Sequence, residues 1–189
     1  DDFSLITKYE LCDKIFCIVE IDSDDKLNRK EKLESTQRET MIKNSIVSTQ
    51  EKSARRVAED WAKKEFPQPI EYNNEVGNVV IDINSVKDSL AHGYSQSKLD
   101  ALTTLKHGFN NAVYLGSLED FNGNEIINHY FAYPVVYDGE FGYVFCRARQ
   151  DNNLNRLYIH EVYYEKEVKG HSLQTRASAK EGELPRGTS

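Results

Sequence analysis

Apolar and polar positions change period along the chain, and the changes mark its elements. KIFCIVEI at 14–21 has the density of a strand, with Ile15, Cys17 and Val19 on one face. DSDD at 22–25 breaks it and leads into a highly charged stretch to about Ile42, in which only Leu27, Leu33 and Met41 are apolar. That pattern predicts a solvent-exposed helix or a disordered linker. From Ser48 or Thr49 to Phe66 the residues Ala54, Val57, Ala58, Trp61, Ala62 and Phe66 recur at spacings of three and four, which predicts a helix with one buried stripe. PQP at 67–69 ends it and suggests a hinge or boundary.

A short strand is expected in VGNVVIDI (76–83), followed by a helix capped by Asn84 or Ser85 and stopped at Gly93. Ser95 opens a second helix, with Leu99, Leu102 and Leu105 on its apolar side, that Gly108 should stop. After Ala112 the period becomes extended. AVYLGSL, IINHYFAYPVVY, FGYVFCRAR and RLYIHEVYYE read as four strands, and Asp138-Gly139 is a strong hairpin turn signal. Pro134 implies an edge position or a bulge in its strand. The expected fold is α+β, helices followed by a four-stranded antiparallel meander sheet. The expected division is 1–75, an amino-terminal strand and helical region; 166–189, a charged linker or disordered tail; and between them 76–165, the α+β domain.

With 189 residues, 39% of them hydrophobic, the chain can bury one sizeable core. No run is long and apolar enough to span a bilayer, so membrane insertion is not expected. Cys12, Cys17 and Cys146 are an odd set and read as buried thiols of a reducing compartment. The net charge of −7 argues against a passive binder of nucleic acid, though not against an enzyme with a local basic pocket. All of that charge lies within 71–165, where only Lys87, Lys98, Lys106, Arg147, Arg149 and Arg156 are basic.

Those scarce cations direct the search for chemistry. Lys98 falls in the first turn of its helix, against the dipole preference, and with the helix-start N–H groups would make an anion pocket. Alternation puts Tyr143, Phe145, Arg147 and Arg149 on one face of their strand, suited to stacking bases and pairing phosphate. In the last strand it puts Arg156, Tyr158, His160, Val162 and Tyr164 opposite Leu157, Ile159, Glu161 and Tyr163. His129 shares its face with Phe131 and Tyr133. His92 and His107 each precede a helix-stopping glycine, where the dipole alone favours histidine. No histidine or cysteine cluster has metal-ligand spacing, so no metal and no cofactor is expected. Lysine, histidine, arginine and tyrosine together suit attack of an RNA 2′-hydroxyl on its adjacent phosphate, leaving a 2′,3′-cyclic phosphate.

Gly77, Val80, Ile81, Ser89, His92, Gly93, Lys98, the stretch from Ala132 to Pro134, and Tyr158-Ile159-His160 carry a further likeness. Residues 76–165 resemble a domain of the large polyvalent proteins of phages and integrative elements, a group similar to the barnase, EndoU, colicin and RelE-like nuclease fold. The resemblance implies a metal-independent endoribonuclease acting on RNA, often tRNA, in a cleft between helices and sheet. Ser89, His92 and Lys98 would form the helical wall, with Arg147 and His160 projecting from the strands. These five are the expected catalytic residues, with Tyr94, His129, Tyr143, Phe145, Arg149 and Tyr158 as substrate contacts. A toxin domain of a larger phage or secreted protein, acting in a cytoplasm and paired with an immunity or antitoxin protein, fits this reading. The alternatives are a noncatalytic accessory domain and an ADP-ribosyltransferase, for which His92-Gly93-Tyr94 and Glu161 would be the residues to test.

Overall fold

A computed structural model describes residues 23–36, 41–42, 53–93, 95–119, 126–151 and 156–166. The strand expected at 14–21, Cys12, Cys17, Tyr94 and the tail lie outside the described residues. The elements are α1 (Ser23–Ser35), β1 (Met41–Ile42), α2 (Ala54–Glu65), β2 (Ile70–Asn74), β3 (Gly77–Ile81), α3 (Ile83–Ala91), α4 (Gln96–Leu102), α5 (Leu105–Gly108), a 3-10 turn (Phe109–Asn111), β4 (Val113–Glu119), β5 (Ile127–Tyr137), β6 (Glu140–Asp151) and β7 (Arg156–Lys166). None of the described helices is long and apolar enough to cross a membrane.

The fold is α+β, but its sheet is larger than the four antiparallel strands expected. It has seven strands in the order β1-β5-β6-β7-β3-β2, with β4 also on β5. β4 to β7 pair antiparallel in succession, whereas β1 joins β5 and β3 joins β7 in parallel, so the sheet is mixed. A parallel partner far away in sequence leaves no local turn signal, which is why periodicity could not reveal it. The division expected near residue 75 falls in the β2–β3 hairpin, where Asn74 pairs with Gly77. Asp138 and Gly139 have φ of 50° and 75°, the left-handed pair that a two-residue hairpin turn between β5 and β6 demands. Pro134 sits on β5 between the stretch paired with β4, which ends at Ala132, and the stretch paired with β1, which begins at Val136. A residue without an N–H is tolerated in that gap.

Strict alternation on β5 and β6 builds two cores. Phe131, Tyr133, Val135, Val144, Cys146 and Ala148 face the helices, where they meet Ala58, Leu90, Leu99, Leu102 and Leu105. Tyr130, Ala132 and Phe145 face the other way. There Leu33 of α1, only 1% exposed, packs with them and with Val113 and Leu115. α1 is therefore docked, not a solvated helix or linker. Leu33 is helped by Arg29, which pairs with Asp25 and Glu75, donates to the Tyr114 carbonyl at 2.9 Å and lies over the Tyr114 ring.

Two capping expectations change. Asp82, not Asn84 or Ser85, caps α3: its Oδ1 accepts from the N–H groups of Asn84 (2.8 Å) and Ser85 (3.2 Å), and Ser85 Oγ accepts from the Asp82 N–H. Gly93 follows α3 with φ of 87°, as a terminating glycine should. Gly108 does not stop its helix, since its φ of −71° is helical and the chain runs straight into the 3-10 turn. What requires glycine there is Tyr133: an added Cβ would stand 2.3 Å from its Cε2.

Candidate functional site

The site forms where β7 loses its parallel neighbour. β3 pairs with β7 only at Leu157 and Tyr158, then turns into α3, which runs on beside β7. Ser89 of α3 is fully buried, and its hydroxyl takes the place of a strand. It accepts from the Val162 N–H at 3.0 Å and donates to the Val162 carbonyl at 3.3 Å. Ser89 therefore secures helix to sheet, an office remote from proton transfer.

Opposite this edge the β6–β7 register slips. Arg147 pairs with Glu161 but Ala148 with Ile159, so His160 is the extra residue of a bulge. The slip reverses the alternation expected for β7: Leu157 and Ile159 before it, and Val162 after it, all enter the helix-facing core. His160 is turned toward α3, where it meets His92.

Four of the five expected catalytic residues meet here. His92, the C-cap of α3, brings Nε2 to within 2.9 Å of His160 Nε2, with the rings edge to face. Arg147 Nη2 reaches Glu161 Oε2 at 2.6 Å, and Lys98 Nζ lies 3.8 Å from Glu161 Oε1. The expectation for Lys98 is corrected in one respect. Its own N–H is taken by Ser95 Oγ at 3.2 Å, and its ammonium faces a carboxylate and not the start of its helix. Asp88 and Glu161 are the members of this cluster that the sequence did not place among the expected catalytic residues. Asp88 lies one turn before His92 on α3, and Asp88 Oδ2 stands 3.5 Å from His160 Nδ1. A carboxylate four residues before a histidine on one helix was the available signal.

Charge and burial set the titration of this group. Lys98 is only 8% exposed, and desolvation lowers its pKa while Glu161 opposes and Arg147 adds to the shift. Burial, then the positive charges of Arg149 and Arg147 and the neighbouring His92, push His160 down to about 4 against the pull of Glu161. Desolvation raises Asp88. His160 is thus neutral in the folded protein near pH 7. An unfolded histidine binds its proton near pH 6.5, so between that value and about pH 4 the unfolded state holds the extra proton and folding weakens as pH falls. The loss expected from this residue is about 2 kcal/mol. Urea midpoints taken from pH 7 to pH 4 should show it, and His160→Asn should flatten that dependence. An equal slope in both proteins would assign the acid sensitivity to other groups.

The expected substrate contacts divide. Arg149 donates from Nε to Asn128 Oδ1 at 3.3 Å and acts electrostatically on Asp88 and His160, so it borders the site. The Tyr158 ring lies 6.2 Å from that of His160. Phe145 is 1% exposed and stacked on Tyr163 in the second core, so its face is not offered to a base; Tyr143 packs against the same cluster. His129 bonds through Nδ1 to the Tyr114 hydroxyl at 3.1 Å, and burial lowers its pKa. His107 is exposed on α5. Cys146, the described cysteine, is buried in the main core with its thiol pushed up by desolvation. A separate cavity of about 210 Å³ lies among Tyr72, Asn73, Asn74, Phe109, Asn110 and Phe131 and shares no lining residue with the His92–His160 cluster. Among the described residues no group of three or more His, Cys, Asp or Glu side chains could hold a metal ion.

Residues 49–158 match the family model of large polyvalent protein-associated domain 3. That stretch is more than half of the chain and runs from α2 into β7, and the protein belongs to this family. No curated protein and no solved structure matches the chain.

Proposed function

We propose that this domain is an endoribonuclease that cleaves RNA by attack of a 2′-hydroxyl on the adjacent phosphate. The observation that carries this reading is one carboxylate held between two cations beside a pair of touching imidazoles. Glu161 takes the proton of the 2′-hydroxyl as its oxygen bonds to phosphorus. Lys98 and Arg147 neutralise the phosphoryl oxygens, and the His92–His160 pair protonates the 5′-oxygen as its bond to phosphorus breaks. The product is a 2′,3′-cyclic phosphate and a free 5′-hydroxyl. All three functions come from side chains, so added metal is not required. Such a domain would serve a larger phage-associated or secreted protein as a toxin acting in a cytoplasm, with an immunity or antitoxin protein as its partner.

A second reading, a noncatalytic accessory domain, is favoured by a different fact. Glu161 already satisfies both cations, and the chain carries a net charge of −7, which opposes RNA. Total tRNA incubated with the protein in excess chelator separates the two. The expected result is cleavage to cyclic-phosphate ends, reduced about 100-fold or more by Lys98→Ala. Intact RNA across a panel of substrates, with the protein folded, would leave the accessory reading in place.

A further inference from the structure

We infer that Asp88 fixes the proton of His160 on Nδ1, which makes His160 a hydrogen-bond acceptor for His92 and leaves His92 as the imidazole that exchanges protons with substrate. Asp88 and His160 are then positioning residues, and His92, whose Nε2 proton is held by His160, acts as the catalytic acid only as the imidazolium, giving the proton on its Nδ1. The inference rests on the endoribonuclease reading only for the word catalytic; the proton arrangement stands without it.

The argument is a count of donors and acceptors. A neutral imidazole has one N–H and one lone pair, and a contact of 2.9 Å between two Nε2 atoms needs a proton on one of them and not on the other. If His160 carried its proton on Nε2, its Nδ1 lone pair would face Asp88 Oδ2 across 3.5 Å, two acceptors directed at each other in a buried place. With the proton on Nδ1, the N–H lies near the carboxylate, 3.5 Å away and short of a hydrogen bond, and Nε2 accepts from His92, so both contacts are attractive. The 3.5 Å separation and the absence of a hydrogen-bond partner for this buried nitrogen leave room for a modest approach of Asp88.

The surroundings act in the same direction. From β6, Arg147 and Arg149 bring positive charge to His160, and His92 on α3 also disfavours its protonation; Glu161 on β7 alone among these opposes them, and its carboxylate is engaged by Arg147 and by Lys98 of α4. A second proton on His160 is thereby disfavoured. Asp88 feels His92 and Arg149 against the repulsion of Asp82. His92 differs from His160 in being exposed, and its Nδ1 makes no hydrogen bond among the described residues. A substrate oxygen can reach it.

Nitrogen-15 spectra of the histidine side chains in the full protein provide a test that needs no activity. At pH 7 the His160 resonances are expected to show a protonated Nδ1 and a bare Nε2. Asp88→Asn, close in shape, should shift His160 toward a mixture of tautomers. With RNA as substrate, Asp88→Asn should lower kcat about tenfold with KM little changed and alter the alkaline limb of the rate profile, whereas His92→Ala should abolish that limb. A bare Nδ1 on His160 in the unaltered protein, or His160 taking up a proton at higher pH than His92, would overturn the inference. If the spectra agree and RNA stays intact, the proton arrangement holds and the endoribonuclease reading fails.

Discussion

Glu161→Gln is expected to destabilise the domain by about 3 kcal/mol, because the substitution leaves two poorly hydrated cations without a counter-charge. Arg147 loses its 2.6 Å partner, and its Nε already lacks one in the buried side chain. Lys98, 8% exposed, loses the carboxylate that offsets its desolvation. Lys98→Met is the informative contrast. It removes one buried charge, keeps the Arg147–Glu161 pair and should cost under about 1 kcal/mol, since an apolar chain of similar length suits the site. Urea unfolding at pH 7 in low salt measures both. Inorganic phosphate should raise the midpoint of Glu161→Gln more than that of the unaltered protein, because an anion can occupy the place the carboxylate leaves. Equal stability of Glu161→Gln and the unaltered protein would show that water already screens these cations.

Gly108→Ala should cost about 3 kcal/mol through overpacking. The new Cβ would stand 2.3 Å from Cε2 of Tyr133 and 2.8 Å from its Cδ2 and Cζ. Tyr133 cannot swing aside cheaply: it is fully buried, and its hydroxyl meets Thr104 Oγ1 at 2.7 Å while that oxygen donates to the Ala101 carbonyl. Gly93→Ala provides a scale. Its φ of 87° is strained for alanine, yet open space surrounds it, so about 1 kcal/mol is expected. Thermal and urea denaturation of the two proteins would rank them. If Gly93→Ala proved the costlier, backbone conformation rather than the Tyr133 contact would govern both positions.

The two glycines show how far the amino-acid pattern could be read. His-Gly at 92–93 and at 107–108 looks the same in sequence, but only the first ends a helix in the left-handed conformation. A ring arriving from a distant strand explains the second. Local signals served well where local physics decides: the four late strands, the Asp138-Gly139 turn, the Ser95 cap and the apolar stripe of α2 were all legible. What alternation could not show is a change of phase. The extra residue at His160 let Ile159 and Val162 share a face and made Glu161 the centre of a charged cluster, although it had read as a charge on the far side of the strand. In α1, a run of charges masked Leu33, which docks it.

The position of β7 has a consequence for synthesis. The last of the described strands lies inside the sheet, between β6 and β3, and supplies His160 and Glu161 to helices made much earlier. While the chain is being translated, Asp88, His92 and Lys98 emerge first and wait for a strand that has not been made. Pairing across such a sequence separation closes late, because the entropy of a long loop must be overcome before the contacts reward it. A nascent chain therefore holds an open sheet and no assembled site until β7 is released.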